Sequence, residues 1–131
     1  MVNLTDKAKK ILEGKNFVFI ATVNPDGTPQ VTPTWVDTDS KYVLINTAIG
    51  RIKHRNVKKN PNVALAIYDQ TNPYNLVMIK GKVIDFTTGP TAEKHIDKMA
   101  KKYTGQDKYP NRRPGEQRVV LKIEPLRISG M

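Results

Sequence analysis

The sequence predicts one mainly β domain over residues 1–131, built as an antiparallel barrel that is either closed or split. Six runs rich in β-branched and aromatic residues alternate in polarity, as strands with one buried face do. The first links between these runs have hairpin length, which argues against a β-α-β opening. Two or three helical segments account for the rest. A chain of 131 residues suffices for one core but not for two.

The amino-terminal third is predicted to contain a helix followed by three strands in an antiparallel meander. Thr5 suits the N-cap of the helix, and Gly14 suits its end. Two segments rich in Asn, Asp, Gly and Ser separate the strands, and we predict turns at Asn24–Gly27 and Asp37–Ser40. The predicted strands are Phe17–Val23, Thr28–Val36 and Lys41–Thr47.

The remaining chain predicts two helices and three more strands. A short helix from Ile49 to Lys59 ends before Pro61, because proline disfavours helix at the residue before it. Gly81 predicts a bulge or bend within a long strand, where a barrel strand curls. The predicted strands are Asn62–Tyr68, Tyr74–Phe86 and Gln117–Ile128, the second helix is Thr91–Tyr103, and Gly105–Glu116 is a long loop.

The composition indicates which partners the protein can bind and where in the cell it is expected. The net charge of +10 favours an anionic partner, although a solvated lysine-rich surface that serves solubility is the plain alternative. The absence of cysteine excludes disulfides, thiolate metal sites and cysteine nucleophiles. No apolar run reaches the length of a membrane span, and we expect a cytoplasmic protein without a membrane partner.

The strongest local signal is a basic segment that follows the third predicted strand. No acidic residue lies between Asp39 and Asp69, and the sequence there runs Thr47-Ala48-Ile49-Gly50-Arg51-Ile52-Lys53-His54-Arg55-Asn56. A glycine turn followed by a helix start presents free backbone N–H groups beside a hydroxyl and several cations, which suits a phosphate. The alternative is a solvated basic helix that covers the barrel.

A second candidate surface is the polar face of the second predicted strand. Gln30, Thr32 and Thr34 alternate with apolar residues, and such a face can line a groove for a polar heterocycle. Pro33 lacks an N–H and therefore belongs at a sheet edge, where neighbouring backbone groups stay free to bind a ring. An ordinary wet sheet face is the alternative. Tyr74 lies on a predicted loop and either covers a ring or supports a turn.

Other candidate chemistry is weaker. The two histidines, His54 and His95, have no acidic or cysteine neighbours at ligand spacing, so no metal site is expected. No nucleophile and base are found at catalytic spacing. A second basic region is either solvated or holds an extended polyanionic tail; it comprises Lys98, Lys101, Lys102, Lys108, Arg112 and Arg113.

Several motifs, in order and spacing, resemble the split-barrel flavin and deazaflavin oxidoreductases, the pyridoxamine 5′-phosphate oxidase-like superfamily. The segments that carry this resemblance are Phe19–Pro33, Leu44–Thr47, Gly50–Asn56 and Asn60–Leu65. Further segments are most similar to the branch that depends on coenzyme F420: Asp69–Tyr74, Ile79–Val83, His95–Asp97, Tyr103 and Arg113–Val119.

The resemblance implies a six-stranded split β-barrel that forms a homodimer, with two cofactor sites at the interface. It implies that the cofactor phosphate lies at Thr47, Arg51, Lys53 and Asn56. The ring is expected along Gln30, Thr32, Pro33 and Thr34 and beside Ile45 and Asn46, with Tyr74 arriving from the partner subunit. The implied reaction is hydride transfer between reduced coenzyme F420 and a small electron-poor substrate, with Thr34 or Tyr74 as a possible proton source.

Two other functions stay open on the sequence alone. An FMN protein of the same fold, as an oxidase, reductase or electron carrier, would use the same phosphate site. Pyridoxamine 5′-phosphate oxidase activity needs a second phosphate site that the chain does not clearly offer. A cofactor carrier or nucleic-acid binder without turnover is a lower alternative, and nine scattered aromatic residues argue against single-strand binding.

Overall fold

A computed structural model describes residues 1–130, which form three helices and one curled antiparallel sheet. The helices are α1 (Asp6–Glu13), α2 (Ile52–Lys59) and α3 (Pro90–Thr104). The strands are β1 (Val18–Val23), β2 (Pro29–Thr34), β3 (Asp37–Thr38), β4 (Val43–Ala48), β5 (Asn62–Asp69), β6 (Asn72–Thr87) and β7 (Arg118–Gly130). The mainly β class with peripheral helices is confirmed.

The sheet is a half-barrel whose two edges meet. The strand order is β2-β1-β5-β6-β7-β4-β3, so β2 and β3 are the two edge strands. Only Trp35 and Val36 separate the end of β2 from the start of β3. Because the chain passes from one edge to the other within two residues, the sheet must curl until its edges are adjacent. The predicted split barrel is confirmed, with seven strands instead of six.

The predicted meander of the first three strands is wrong beyond β2. Asp37 and Thr38, predicted as part of a turn, pair instead with Leu44 and Val43 of β4 as the short seventh strand. β4 then pairs with β7 at the far edge, and not with β2. Hairpin-length spacing cannot reveal this exchange, because a tight turn and a two-residue step between adjacent edges require equally short linkers.

Gly81 marks the bend in β6, as predicted. The register of β6 against β7 shifts between Lys80 and Gly81. A Cβ added at Gly81 would lie 2.7 Å from Ile123 Cγ2 and 2.9 Å from the Glu124 carbonyl oxygen. Glycine therefore allows β7 to approach the bent strand closely.

The concave side of the sheet carries the core, and the other side stays largely exposed. Along β5, Val63, Leu65 and Ile67 are buried while the intervening residues are exposed, as the alternation predicted. Burial of these side chains from water stabilises the fold. The largest fully buried side chains are Leu12, Ile20, Ile45, Ile67, Ile79, Met99, Leu121 and Ile123.

The first helix has the predicted caps, Thr5 and Gly14, and the last helix ends at a glycine. The Thr5 hydroxyl accepts a hydrogen bond from the Ala8 N–H at 3.1 Å and starts α1. α3 ends at Gly105, which adopts the left-handed conformation with φ of +80°. No helix in residues 1–130 is long and apolar enough to span a membrane.

The second helix begins later than predicted, at Ile52 and not at Ile49. The Ile49 N–H donates to the Gln117 carbonyl at 2.8 Å, so this residue continues the sheet pairing. Gly50 then takes a φ of +91°, which the α-helix does not allow. Arg51 is therefore the N-cap of α2, and its side chain makes no capping hydrogen bond to the helix.

Candidate functional site

The structure brings six of the predicted site residues into one groove of about 230 Å³ between the two sheet edges. We call it the cationic groove. These six residues are Pro33, Thr34, Asn46, Thr47, Arg51 and Lys53. Other residues that line it are Phe17, Trp35, Ile96, Met99, Tyr109, Asn111 and Arg118. β2, β4, β7, α3 and the start of α2 thus all contribute to one concave site.

Lys53 is a half-buried cation with no acidic partner among residues 1–130. It lies in the first turn of α2, and none of the ion pairs in that range includes it. Burial, together with repulsion from Arg51 and Arg118, lowers the pKa of Lys53 from 10.5 to about 8. A half-buried ammonium without a partner gains more free energy from binding an anion than a fully solvated lysine does.

Arg118 is almost fully buried beside the groove and has fixed partners. Its side chain is 4% exposed, and its Nη1 donates to Glu116 Oε1 at 2.8 Å. Its Nε donates to Asn46 Oδ1 at 2.8 Å. The ring of Tyr109 lies beneath the guanidinium, with 5.2 Å between the ring centroid and Cζ.

Glu116 is the carboxylate that these arginines share. Its Oε1 also accepts from Arg51 Nη2 at 3.3 Å, and its Oε2 accepts from the Arg113 N–H at 3.1 Å. Burial alone would raise the pKa of Glu116, but the Arg113 N–H and the charges of Arg118 and Arg51 outweigh it and lower the pKa. Arg51 and Arg118 thus share one carboxylate and Lys53 has none, which leaves a formal net charge of +2 for these four side chains.

The start of α2 adds backbone donors to these charges. No side chain caps it, so the N–H groups of its first turn have no side-chain acceptor. The Gly50 N–H donates to His54 Nδ1 at 3.1 Å, which secures the turn before the helix. The positive end of the helix dipole and the Lys53 ammonium therefore lie at the same point.

An aromatic cluster forms another part of the lining. The Trp35 ring stacks on Tyr103 at 5.2 Å between centroids with an interplanar angle of 6°. Tyr109 packs edge-on against Trp35 at 6.0 Å, and Phe17 packs edge-on against Tyr103 at 5.6 Å. The Tyr103 hydroxyl donates to the Asn16 carbonyl at 2.6 Å, which fixes the cluster to the chain before β1. The groove thus has a cationic end and a rigid aromatic side.

Five predicted site residues lie outside the cationic groove. Asn56 is buried and donates to Thr22 Oγ1 at 3.0 Å and Asn24 Oδ1 at 2.9 Å, so its amide supports the β1–β2 turn. Ile45 is a core residue with no exposed surface. Tyr74 is 77% exposed at the start of β6. The other two are Gln30 and Thr32, which are half-buried on edge strand β2.

Sequence reasoning missed Arg118 and Tyr109, which line the groove, and Glu116, which pairs with the groove residues Arg51 and Arg118. Arg118 and Glu116 lie in the Arg113–Val119 segment, whose resemblance to the F420-dependent branch was the available signal. Their meeting with Thr47 depends on the pairing of β4 with β7. A reading that placed β4 in a meander with β2 could not bring them together.

The second basic region is largely paired with acidic groups. Arg112 contacts Asp97 at 2.8 Å and Glu93 at 3.4 Å. Lys98 contacts Asp37 at 3.1 Å, and Lys101 contacts Asp107 at 3.0 Å. Lys102 donates to two backbone carbonyls, at Leu12 and Val36.

In the described residues, no group of three or more His, Cys, Asp or Glu side chains is arranged to hold a metal.

Comparison with known proteins gives one family and one fold. The family model described as Pyridoxamine 5′-phosphate oxidase matches residues 4–131. A solved F420 reductase is 31% identical to this chain, covers 96% of it and is itself covered over 98%, with a TM-score of 0.83. No curated protein matches the sequence significantly.

Two further solved structures share the fold at lower identity. A conserved hypothetical protein from Mycobacterium tuberculosis is 20% identical over 98% of this chain and 84% of its own length, with a TM-score of 0.74. General Stress Protein 26 from Bacillus anthracis is 18% identical over 94% of this chain and 89% of its own, with a TM-score of 0.68.

Proposed function

Because the chain belongs to the pyridoxamine 5′-phosphate oxidase family, we propose that the cationic groove binds a phosphate-bearing redox cofactor and that the protein is an oxidoreductase dependent on coenzyme F420. The observation that carries the proposal is Lys53, a half-buried cation without an acidic partner in residues 1–130, beside an uncapped helix start. The preference for F420 rests on the similarity to a solved F420 reductase at 31% identity.

The cationic end fits a phosphate. Lys53 and the first-turn N–H groups of α2 would bind its oxygens, and Thr47 offers a hydroxyl from the adjoining strand end. Arg51 is half-exposed and can turn toward a bound anion. Glu116 would keep an ionic partner if it did, because Arg118 also pairs with it. An anion bound here would relieve the repulsion among Arg51, Lys53 and Arg118, so the local electrostatics favour the anion-bound state.

The aromatic side fits a planar ring. Pro33 and Thr34 of edge strand β2 would border the ring, and Trp35, held between two tyrosines, would limit its tilt. A reduced deazaflavin supplies a hydride to an electron-poor substrate when bound. The chain's own contribution is to hold the phosphate, orient the ring and exclude water with the aromatic cluster. The Thr34 hydroxyl is the proton source nearest the groove among the predicted candidates.

We further propose that the protein is a homodimer that pairs through the exposed face of the sheet. Phe19 on β1, Val31 on β2 and Met78 on β6 are 39%, 62% and 48% exposed and line one surface groove, where water would otherwise cover an apolar surface. Tyr74 is exposed and does not line the groove of its own chain, so a role in cofactor binding would place it at the partner subunit's groove. The family resemblance favours that arrangement.

FMN is the second candidate cofactor. The family description supports it, and the cationic groove does not distinguish the two phosphates. A bound flavin would draw on the same residues: Thr47, Arg51, Lys53 and the start of α2. The reaction class stays oxidation and reduction in either case.

Equilibrium dialysis of the purified protein against each cofactor tests the proposal. We expect micromolar or tighter binding of F420 and far weaker binding of FMN. Consumption of reduced F420 with a quinone or a nitroaromatic acceptor then tests turnover. Tight FMN binding without F420 binding would transfer the assignment to a flavoprotein. Binding of neither cofactor would refute the proposed function.

A further inference from the structure

A chain of side-chain hydrogen bonds leads from the far edge of the sheet into the cationic groove. Asp37 Oδ2 on β3 lies 3.0 Å from His95 Nε2 on α3. His95 Nδ1 lies 3.1 Å from Asn46 Nδ2 on β4. Asn46 Oδ1 accepts from Arg118 Nε on β7 at 2.8 Å. Four separate elements thus meet through one chain that ends at a groove cation.

The chemistry of the end groups fixes every donor and acceptor in this chain. Arg118 can only donate, so the Asn46 oxygen must face it. The Asn46 amide nitrogen then faces the Ala92 carbonyl at 2.9 Å, which can only accept. His95 Nδ1 must therefore accept from Asn46, and the ring proton sits on Nε2, where it donates to Asp37. One tautomer alone satisfies all four contacts.

We propose that His95 is a positioning residue that holds the Asn46 amide with its oxygen toward Arg118. If the amide turned over, its N–H₂ group would face the Arg118 Nε–H, and both donors would be left unsatisfied in a buried place. Asp37 secures the tautomer, and Lys98 holds the same carboxylate oxygen at 3.1 Å. The inference rests on the proposed function only for what the groove binds.

A packing role for His95 is the competing explanation, and isosteric amides separate the two. An asparagine places its carbonyl near the Nδ1 position of histidine, so His95→Asn keeps the acceptor that faces Asn46. A glutamine places its amide nitrogen near the Nε2 position, so His95→Gln keeps the donor to Asp37 but loses that acceptor. A packing role depends on size, and it would favour the larger glutamine.

The first measurement uses the wild-type protein without cofactor. Long-range proton–nitrogen correlation NMR of the histidine ring at neutral pH should show Nδ1 unprotonated and Nε2 protonated at His95. The Arg118 Nε–H signal should be sharp and slow to exchange with solvent. The opposite tautomer, an imidazolium, or a rapidly exchanging Arg118 Nε–H would overturn the proposal even if no variant folds.

The second measurement is F420 binding by fluorescence titration of wild type, His95→Asn and His95→Gln. We expect His95→Asn to bind within about threefold of wild type and His95→Gln to bind about tenfold more weakly, with the Arg118 Nε–H signal broadened only in the latter. Equal loss in both variants, or weaker binding by His95→Asn, refutes the positioning role. If wild type binds neither F420 nor FMN, the proposed function fails, while the NMR comparison still decides the role of His95.

Discussion

The side chain of Lys53 gives the sharpest test of the anion site, through the variant Lys53→Met. Methionine keeps the length of the apolar stem and removes the charge. A fall in the pKa of Lys53 from 10.5 to about 8 corresponds to roughly 3 kcal/mol of unfavourable charge burial in the cofactor-free protein. Partial exposure of the side chain reduces this to about 1–2 kcal/mol. The variant should therefore be more stable than wild type without cofactor, although it binds cofactor less well.

Proton linkage gives the direction in which stability changes with pH. Between pH 8 and 10.5 the unfolded state holds the Lys53 proton and the folded state releases it, so wild-type stability rises with pH in that window. Below pH 8 both states are protonated and the full penalty applies. Lys53→Met should thus raise the melting temperature at pH 7 by a few degrees, with the difference vanishing above about pH 10.5.

Cofactor binding should change in the opposite direction. Loss of one charged hydrogen-bond donor to a phosphate costs about 1.5–3 kcal/mol, or roughly 10- to 150-fold in affinity. Fluorescence titration with F420 at pH 7 measures it, and wild-type affinity should also decline as pH rises above about 8. Lys59→Met, at the exposed end of the same helix, is the matched control. A Lys53→Met protein that melts several degrees lower, or binds as tightly as Lys59→Met, would refute the reasoning.

Three further predictions concern stability and assembly. Burial alone would raise the pKa of Asp37, but hydrogen bonds from His95, the Thr38 N–H and Lys98 outweigh it and lower the pKa from 3.8 to about 2. The Asp37 carboxylate therefore stabilises the folded protein above pH 3.8, and this stabilisation is lost as the pH falls through 2. Acid titration followed by circular dichroism should show Asp37→Asn lacking about 1–2 kcal/mol of that dependence, and an unchanged profile contradicts it. Gly81→Ala should lower the free energy of unfolding in urea by about 1–3 kcal/mol, because its Cβ meets β7 backbone, and a neutral effect would disprove the close approach. Val31→Asp should halve the mass measured by light scattering if the exposed face pairs two copies, whereas a monomeric wild type rules out the dimer.

Much of the fold follows from local signals in the sequence. The alternation along β5 predicted which residues are buried, and Thr5 predicted the start of α1, because both depend on neighbours in the chain. The bend at Gly81 was predictable for the same reason. The placement of Asp37–Thr38 was not, since a two-residue strand is stabilised by its partner β4 and not by its own composition.

The candidate site also has residues that local spacing predicts and residues whose position depends on tertiary contacts. Thr47, Arg51 and Lys53 are close in sequence, and their meeting at a strand end could be predicted from spacing. Asn56 lies in the same segment, but its amide donates to Thr22 on β1 and to Asn24 in the turn that follows, and this tertiary contact could not be predicted from spacing along the chain.

The crowding of charge in the cationic groove has a structural explanation that bears on its use. A fold that needed only solubility would place Lys53 in water, where its charge costs nothing. Here the β4–β7 pairing fixes Arg118 beside Asn46, and Glu116 is shared between Arg118 and Arg51, so Lys53 receives no share of negative charge within residues 1–130. Such an imbalance lowers the stability of the empty protein and is relieved by an anion. An anion that binds here would therefore stabilise the folded protein, as the proposed function requires.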